Sequence, residues 1–211
     1  MPRPTEALLD RRRIGRAALA LVDKKGDFTI PELAKRLHVQ PSSLYHHVDG
    51  RADIVELVRL EVLNKLDHTL LRSHSWDQGL AAWARSYRSV FAEHPAAIRM
   101  LATAPVRSPE LIDAYEGATT ALLEAGFPRE QALAMFVALE SFLLGSALDL
   151  SMPEVMIEGV DPERHAVLTG CIAALPAGIS RPEQAFEVGL LALLEGFRAS
   201  LGTEHARGAP R

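Results

Sequence analysis

Residues Thr29 to Arg51 read T-I-P-E-L-A-K-R-L-H-V-Q-P-S-S-L-Y-H-H-V-D-G-R, two short helical patterns joined by a tight turn. Thr29 is placed to cap the first helix by accepting from the Glu32 backbone N–H while the Glu32 carboxylate reaches back, and Pro31 sits in the first turn, where a missing N–H costs nothing. Ile30, Leu33, Ala34 and Leu37 form one apolar face, Val39 turns the chain into the core, and Pro41 restarts a helix through His47. With Leu44 and Val48 inward, Ser42, Ser43, Tyr45, His46 and His47 face outward. Their hydroxyls, phenol and imidazoles can touch base edges and phosphates in a major groove. The stretch reads as a helix-turn-helix.

Charge points the same way. Residues 1–51 carry ten Lys/Arg against six Asp/Glu, whereas residues 52–211 carry 13 against 21, so a formal net charge of −4 hides a basic head on an acidic body. A polyanion is drawn to the head and repelled by the body. The length of 211 residues, with 48% hydrophobic and 24% charged, fits a soluble globular chain able to bury a substantial core. The single cysteine, Cys171, excludes an intramolecular disulfide and reads as a small buried packing residue. The N-terminus lacks the apolar core of a signal peptide, and Glu or Gly interrupts the apolar runs, so no membrane partner and a cytoplasmic location are expected.

Past the head, every segment has helical periodicity and none alternates as a strand does, which predicts an all-α fold. Helices are expected near 8–24, 30–37, 41–47, 51–72, 76–93, 95–103, 108–125, 128–150, 162–174 and 182–201, with breaks at Pro and Gly and a frayed tail over 203–211. The organisation expected is a three-helix head over 1–60 and a body over 61–211 that binds a ligand and dimerises. The helix from Arg51 would run from one into the other.

The helices near 128–150 and 182–201 carry more apolar surface than one protomer needs. Leu139 and Leu143 on the first, with Phe186, Leu190, Leu193 and Phe197 on the second, are the expected interface of a homodimer. Gly189 and Gly196 lie seven apart on the second, where close approach of a partner helix would offset the roughly 1 kcal/mol that each mid-helix Gly costs. In the body, Trp83 and Tyr87 lie one turn apart, Phe136 lies on the long apolar helix whose run Glu140 interrupts, and Arg99 and Met100 come from a neighbouring one. A carboxylate among Leu139, Phe142 and Leu143 needs a partner, for which Arg99 is the candidate. Apolar walls with a few polar groups suit a small-molecule effector. No Cys/His cluster or Gly-rich loop is present, so neither a metal nor another cofactor is expected.

The segment from Arg11 through Leu66 resembles the DNA-binding domain of the tetracycline-repressor (TetR) family of bacterial transcription regulators. The likeness is carried by R-I-G-R-A-A-L-A-L-V-D, T-I-P-E-L-A-K-R-L-H-V and S-S-L-Y-H-H-V-D-G-R-A-D-I-V-E-L-V. S-W-D-Q-G-L-A-A-W-A-R-S-Y-R, F-L-L-G-S-A-L and E-Q-A-F-E-V-G-L-L-A-L-L-E-G-F extend it, more weakly, to the C-terminal domain of the tetracycline repressors. The resemblance implies a homodimer on a palindromic double-stranded DNA operator, with Tyr45 and Arg51 at phosphate-contacting positions. It also implies a pocket in which Leu101 stands where those repressors carry a metal-binding histidine, Trp83 replaces a polar ligand, and Asp67, beside His68, replaces a second histidine. A tetracycline–magnesium chelate is therefore not the expected effector. The function expected is an operator-binding regulator, most simply a repressor released by a small organic molecule, and not an enzyme; the alternative is a small all-α ligand carrier or enzyme that does not bind DNA.

Overall fold

Local chemistry sets the first helix ends of this computed structural model, which describes residues 9–72 and 75–207, with backbone alone at 68, 72 and 202–207. Asp10 opens α1 (Arg11–Lys25) by accepting from Arg13 N at 2.6 Å, and Gly26, at φ 81°, closes it. Thr29 and Glu32 form the expected capping box at the start of α2 (Ile30–Leu37). His38 takes the left-handed conformation at the turn, φ 59°, a region in which His is tolerated better than most side chains. Pro41 then starts α3 (Pro41–Leu44), a single helical turn that continues as non-helical turns through His47, shorter than the expected 41–47.

A long fourth helix packs along α1. The helix α4 (Arg51–Leu63) ends nine residues before the expected 72, because the Asp67 carboxylate accepts from Thr69 N and Thr69 Oγ1 and restarts the chain as a 3₁₀ turn over His68–Arg72. Ile14, Ala18, Val22, Leu33, Leu44, Ile54 and Val58 fill the centre of the head with essentially no exposure. Arg11 locks its surface: it makes a bidentate pair with Asp53 at 2.5 and 2.8 Å and donates to the His47 carbonyl at 2.7 Å.

The body follows as α5 (Trp76–Ala92), α6 (Pro95–Ala102), α7 (Pro109–Glu124), α8 (Arg129–Asp149), α9 (Ala166–Ala173) and α10 (Arg181–Arg207). The fold is all-α, and the described residues contain no strand. The central helix is α5, packed on α8, the 3₁₀ turn, α4, α6 and α10. By length and composition α8 is apolar enough to cross a membrane, yet its inner face, Phe136, Leu139, Leu143 and Ala147, is buried inside the protomer.

That packing corrects the expected interface. Leu139, Leu143, Phe186 and Leu190 are at most 4% exposed and fill the protomer's own core, because α8 and α10 lie against each other and against α5. Gly189 serves the same core: Phe142 of α8 lies over it, stacked on Phe186, so that a Cβ there would fall 2.5 Å from the ring. Leu193 and Phe197 are half-buried against that core, while Gly196 faces open space. The outward residues are Leu133, Val137 and Leu148 on α8 and Val188 and Leu191 on α10. Nothing on α9 is buried, so Cys171 is exposed instead of packed. The helix α10 continues to Arg207, past its expected end at 201, and residues 208–211 of the expected tail lie outside the described residues.

Gly189→Ala should therefore lower the unfolding free energy by about 1–3 kcal/mol, since the Phe142 ring must leave its site to admit the methyl group. Denaturant unfolding measures it, and an unchanged midpoint would mean that Phe142 does not rest there.

Candidate functional site

The outward face of the head holds the expected reading residues with different freedom. Ser42, Tyr45 and His46 are exposed, Tyr45 at 57%, while Ser43 and His47 are half-buried. The Thr29 hydroxyl is engaged with Glu32 in the cap. Arg51 is engaged too: it donates to the Phe28 carbonyl and to Asp27, both at 2.5 Å, and its guanidinium lies 4.4 Å over the Phe28 ring. The hydrogen bond from Arg51 holds the Asp27 carboxyl below its ordinary range. In this conformation Arg51 pins the α1–α2 connection.

A buried ion pair joins α4 to the body. Arg59 Nε donates to Glu56 Oε1 at 2.9 Å, one helical turn back, and its two terminal nitrogens donate to the Leu101 carbonyl at 3.1 Å and the Ala104 carbonyl at 2.7 Å. Glu56 Oε2 accepts from the backbone N–H groups of Arg107 and Ser108 at 2.9 and 3.0 Å. Burial alone would raise the Glu56 carboxyl, but the Arg107 N–H, the Arg59 guanidinium and the Ser108 N–H outweigh it and hold it below its ordinary range. Two side chains on α4 thus grip both ends of the α6–α7 connection.

One turn beyond that joint, α4 forms the wall of an apolar pocket. Leu63 and Leu66, with Leu71, Trp83, Tyr87, Leu111, Ala114, Tyr115, Phe136 and Glu140, enclose about 30 Å³, room for little more than one water molecule. The aromatic rings stand close, with Trp83 4.8 Å from Tyr87 and 5.0 Å from Phe136, and Tyr115 edge-on to Phe136 at 5.4 Å. Glu140 is the acid within: Tyr115 donates to its Oε2 at 2.5 Å and Tyr87 to its Oε1 at 3.3 Å. Burial pushes the Glu140 carboxyl above its ordinary range despite those two hydrogen bonds, and burial with the neighbouring carboxylate raises both phenols, which stay protonated donors.

Of the expected pocket residues, Trp83, Tyr87, Phe136 and Glu140 are brought together. Arg99 is not the partner of Glu140; it is exposed on the other side of α6, where it and Met100 line an open groove with Lys25 and Arg51. Leu101 is buried in the core and offers its carbonyl to Arg59. Asp67 caps the 3₁₀ turn and does not line the pocket, and the His68 side chain lies outside the described residues. The sequence reading missed Tyr115. The stripe Leu111, Tyr115, Ala118 and Leu122 on α7 could have found it, as the inward face of an amphipathic helix with one polar tip. Among the described residues, no three His, Cys, Asp or Glu side chains gather as metal ligands.

Residues 70–201 match the family model of the tetracyclin repressor-like C-terminal domain. The chain belongs to the TetR family of transcriptional regulators. It is 31% identical over 144 residues to an HTH-type transcriptional regulator of Saccharopolyspora erythraea, a match that spans 67% of this chain and 61% of that one. Over 195 residues it is 28% identical to the class E tetracycline repressor of Escherichia coli, covering 87% and 88% of the two chains. Among solved structures, ActR of Streptomyces coelicolor in complex with actinorhodin superposes with a TM-score of 0.73 at 25% identity, over 93% of this chain and all of that one.

The joint generates a pH-dependent expectation. Because the folded-state carboxyl of Glu56 sits below its unfolded value, its stabilisation is full above the ordinary carboxylate range and is lost as pH falls through the folded value. Glu56→Gln should lower the unfolding free energy at neutral pH by about 3 kcal/mol, leaving Arg59 without its counter-charge, and the gap from wild type should narrow in acid. Urea unfolding at several pH values checks both; a gap that widens in acid would reverse the assignment.

Proposed function

We propose that this TetR-family chain is a cytoplasmic, ligand-responsive repressor that binds a palindromic operator as a homodimer and leaves it when a small organic molecule fills the aromatic pocket. One observation carries the coupling. The 13-residue α4 begins at Arg51 beside the reading helix, is held at its middle by the Glu56–Arg59 joint, and ends at Leu63 in the pocket wall. Its length of about 20 Å spans the distance from head to pocket. The pocket holds only about 30 Å³, so a ligand larger than water fills it by displacing its walls, Leu63 and Leu66 among them. That displacement tilts α4 about its joint and resets the separation of two heads on a dimer. A coupling of about 1–3 kcal/mol is typical for such a population shift.

The names of the relatives support regulation of transcription, and ActR in complex with actinorhodin supports a ligand-filled state of this fold. Dimerisation is supported by surface that one protomer leaves open. Leu133, Val137 and Leu148 on α8 and Val188 and Leu191 on α10 are 37–64% exposed. The segment from Leu150 to Ser180 adds Val155, Ile157, Val167, Leu175 and Ile179, each at least half exposed. A second copy would cover this surface by a four-helix packing of α8 and α10, moving the interface outward from the core residues first expected. The division into head and body then falls within α4, near residue 60.

On the head, Tyr45 is the proposed phosphate contact, and Ser43 and His46 the proposed base contacts, flanked by Ser42 and His47. Arg51 reaches a phosphate by exchanging Asp27 for it. Tyr45→Ala should weaken all sequences alike, whereas Ser43→Ala and His46→Ala should relax discrimination by about 1–3 kcal/mol per lost contact at particular operator positions. Competition binding on an operator with single-base changes reads this, and an unaltered sequence preference would put the base contacts elsewhere.

The assembly has its own test. Leu191→Arg places a charge on an exposed site, so the protomer should fold normally, but the dimer should fail and operator affinity should fall by about 100-fold or more as each head is left one half-site. Sedimentation as an intact dimer would move the interface away from α10.

A further inference from the structure

We propose that the ligand of the aromatic pocket is an organic cation with a flat apolar body, its charge lying against the Glu140 carboxylate within the ring of Trp83, Tyr87, Tyr115 and Phe136. The inference rests on this pocket being the effector site. It starts from an imbalance: among the described residues no Lys, Arg or His pairs with Glu140, whose partners are two neutral phenols. The nearest cation whose field reaches it, Arg59, is committed to Glu56 and two backbone carbonyls. A carboxylate held in apolar surroundings without a counter-charge is costly, and a cationic ligand supplies what the protein withholds.

The remaining walls select the same chemistry. Each Glu140 oxygen accepts from one phenol, so lone pairs remain for a donor on the ligand. Aromatic faces attract a cation and accept a flat hydrocarbon, and the four rings lie within 4.8 to 5.4 Å of one another in sequence around the site. An anion would meet the carboxylate with no basic side chain to offset it. Trp83 adds a specificity element: its buried Nε1–H has no acceptor among the described residues, and a polar acceptor atom on the ligand could satisfy it. The small volume favours a thin, flat body over a bulky one.

The test uses the full-length protein without DNA, with binding followed by calorimetry and tryptophan quenching. Three aromatic probes differ in charge: ethidium is cationic, phenanthridine is its parent ring system and neutral at pH 7.5, and 8-anilino-1-naphthalenesulfonate is anionic. Ethidium should bind most tightly, and Glu140→Gln should weaken it by about tenfold or more while changing phenanthridine by less than about twofold. Ala114→Trp, which fills the pocket, should abolish both. Should Glu140→Gln not fold, the ethidium-to-phenanthridine ratio of the wild-type protein reads the same selectivity. If ethidium fails to bind, or binds no better than phenanthridine or the sulfonate, or is indifferent to Glu140→Gln, while phenanthridine remains sensitive to Ala114→Trp, the cation preference is overturned and the pocket stands. Probe binding that ignores Ala114→Trp overturns the pocket as the effector site, and the preference with it.

Discussion

The Glu56–Arg59 pair is the constraint on which the rest of the molecule depends. A buried ion pair is stable only if its remaining donors and acceptors are satisfied, and here they are satisfied by four backbone groups of the α6–α7 connection. The pair therefore cannot be kept while that connection moves independently. It fixes the middle of α4 to the body, with one end of the helix at the head and the other at the pocket. Arg11 performs the corresponding task inside the head, tying α1 to the start of α4 and to the end of the reading turn. In the proposed mechanism these contacts carry the turn along with α4.

The pocket has the opposite character. It is nearly empty of space and rich in polar tension, with an acid raised by burial, two phenols turned onto it and an indole N–H without an acceptor. Dense packing means that a ligand cannot enter without moving a wall. The walls include Leu63 in the last turn of α4, the helix through which the proposed coupling runs.

The surplus of apolar surface on α8 and α10 has a similar economy. Each helix has one face in the protomer core and another exposed, and Phe142 stacked on Phe186 over Gly189 joins Leu139, Leu143 and Leu190 between the inner faces. The outer faces stay flat and aliphatic, suited to helix packing against an identical surface.

Much of the head was legible in the sequence because its structure is set by local chemistry. The Thr29–Glu32 capping box, Pro31 and Pro41 in first turns, and the spacing of Leu33, Leu37 and Leu44 act over three or four residues, so periodicity and caps alone determined a helix-turn-helix in an all-α chain. In the pocket, Trp83, Tyr87, Phe136 and Glu140 were legible as an aromatic and acidic cluster at helical spacing. Tertiary structure decided what depended on which helix meets which. It gave Tyr115 to Glu140 and sent Arg99 to the far side of α6; it ended α4 at Leu63 through an Asp67 turn; and it placed Leu139, Leu143, Phe186 and Leu190 in the core, leaving Val137 and Leu191 outside. Besides its inner face each of α8 and α10 carries further apolar residues, Val137 and Leu191 among them, and a helix with two apolar stripes carries no record of which one looks inward; only the packing against α5 makes that choice.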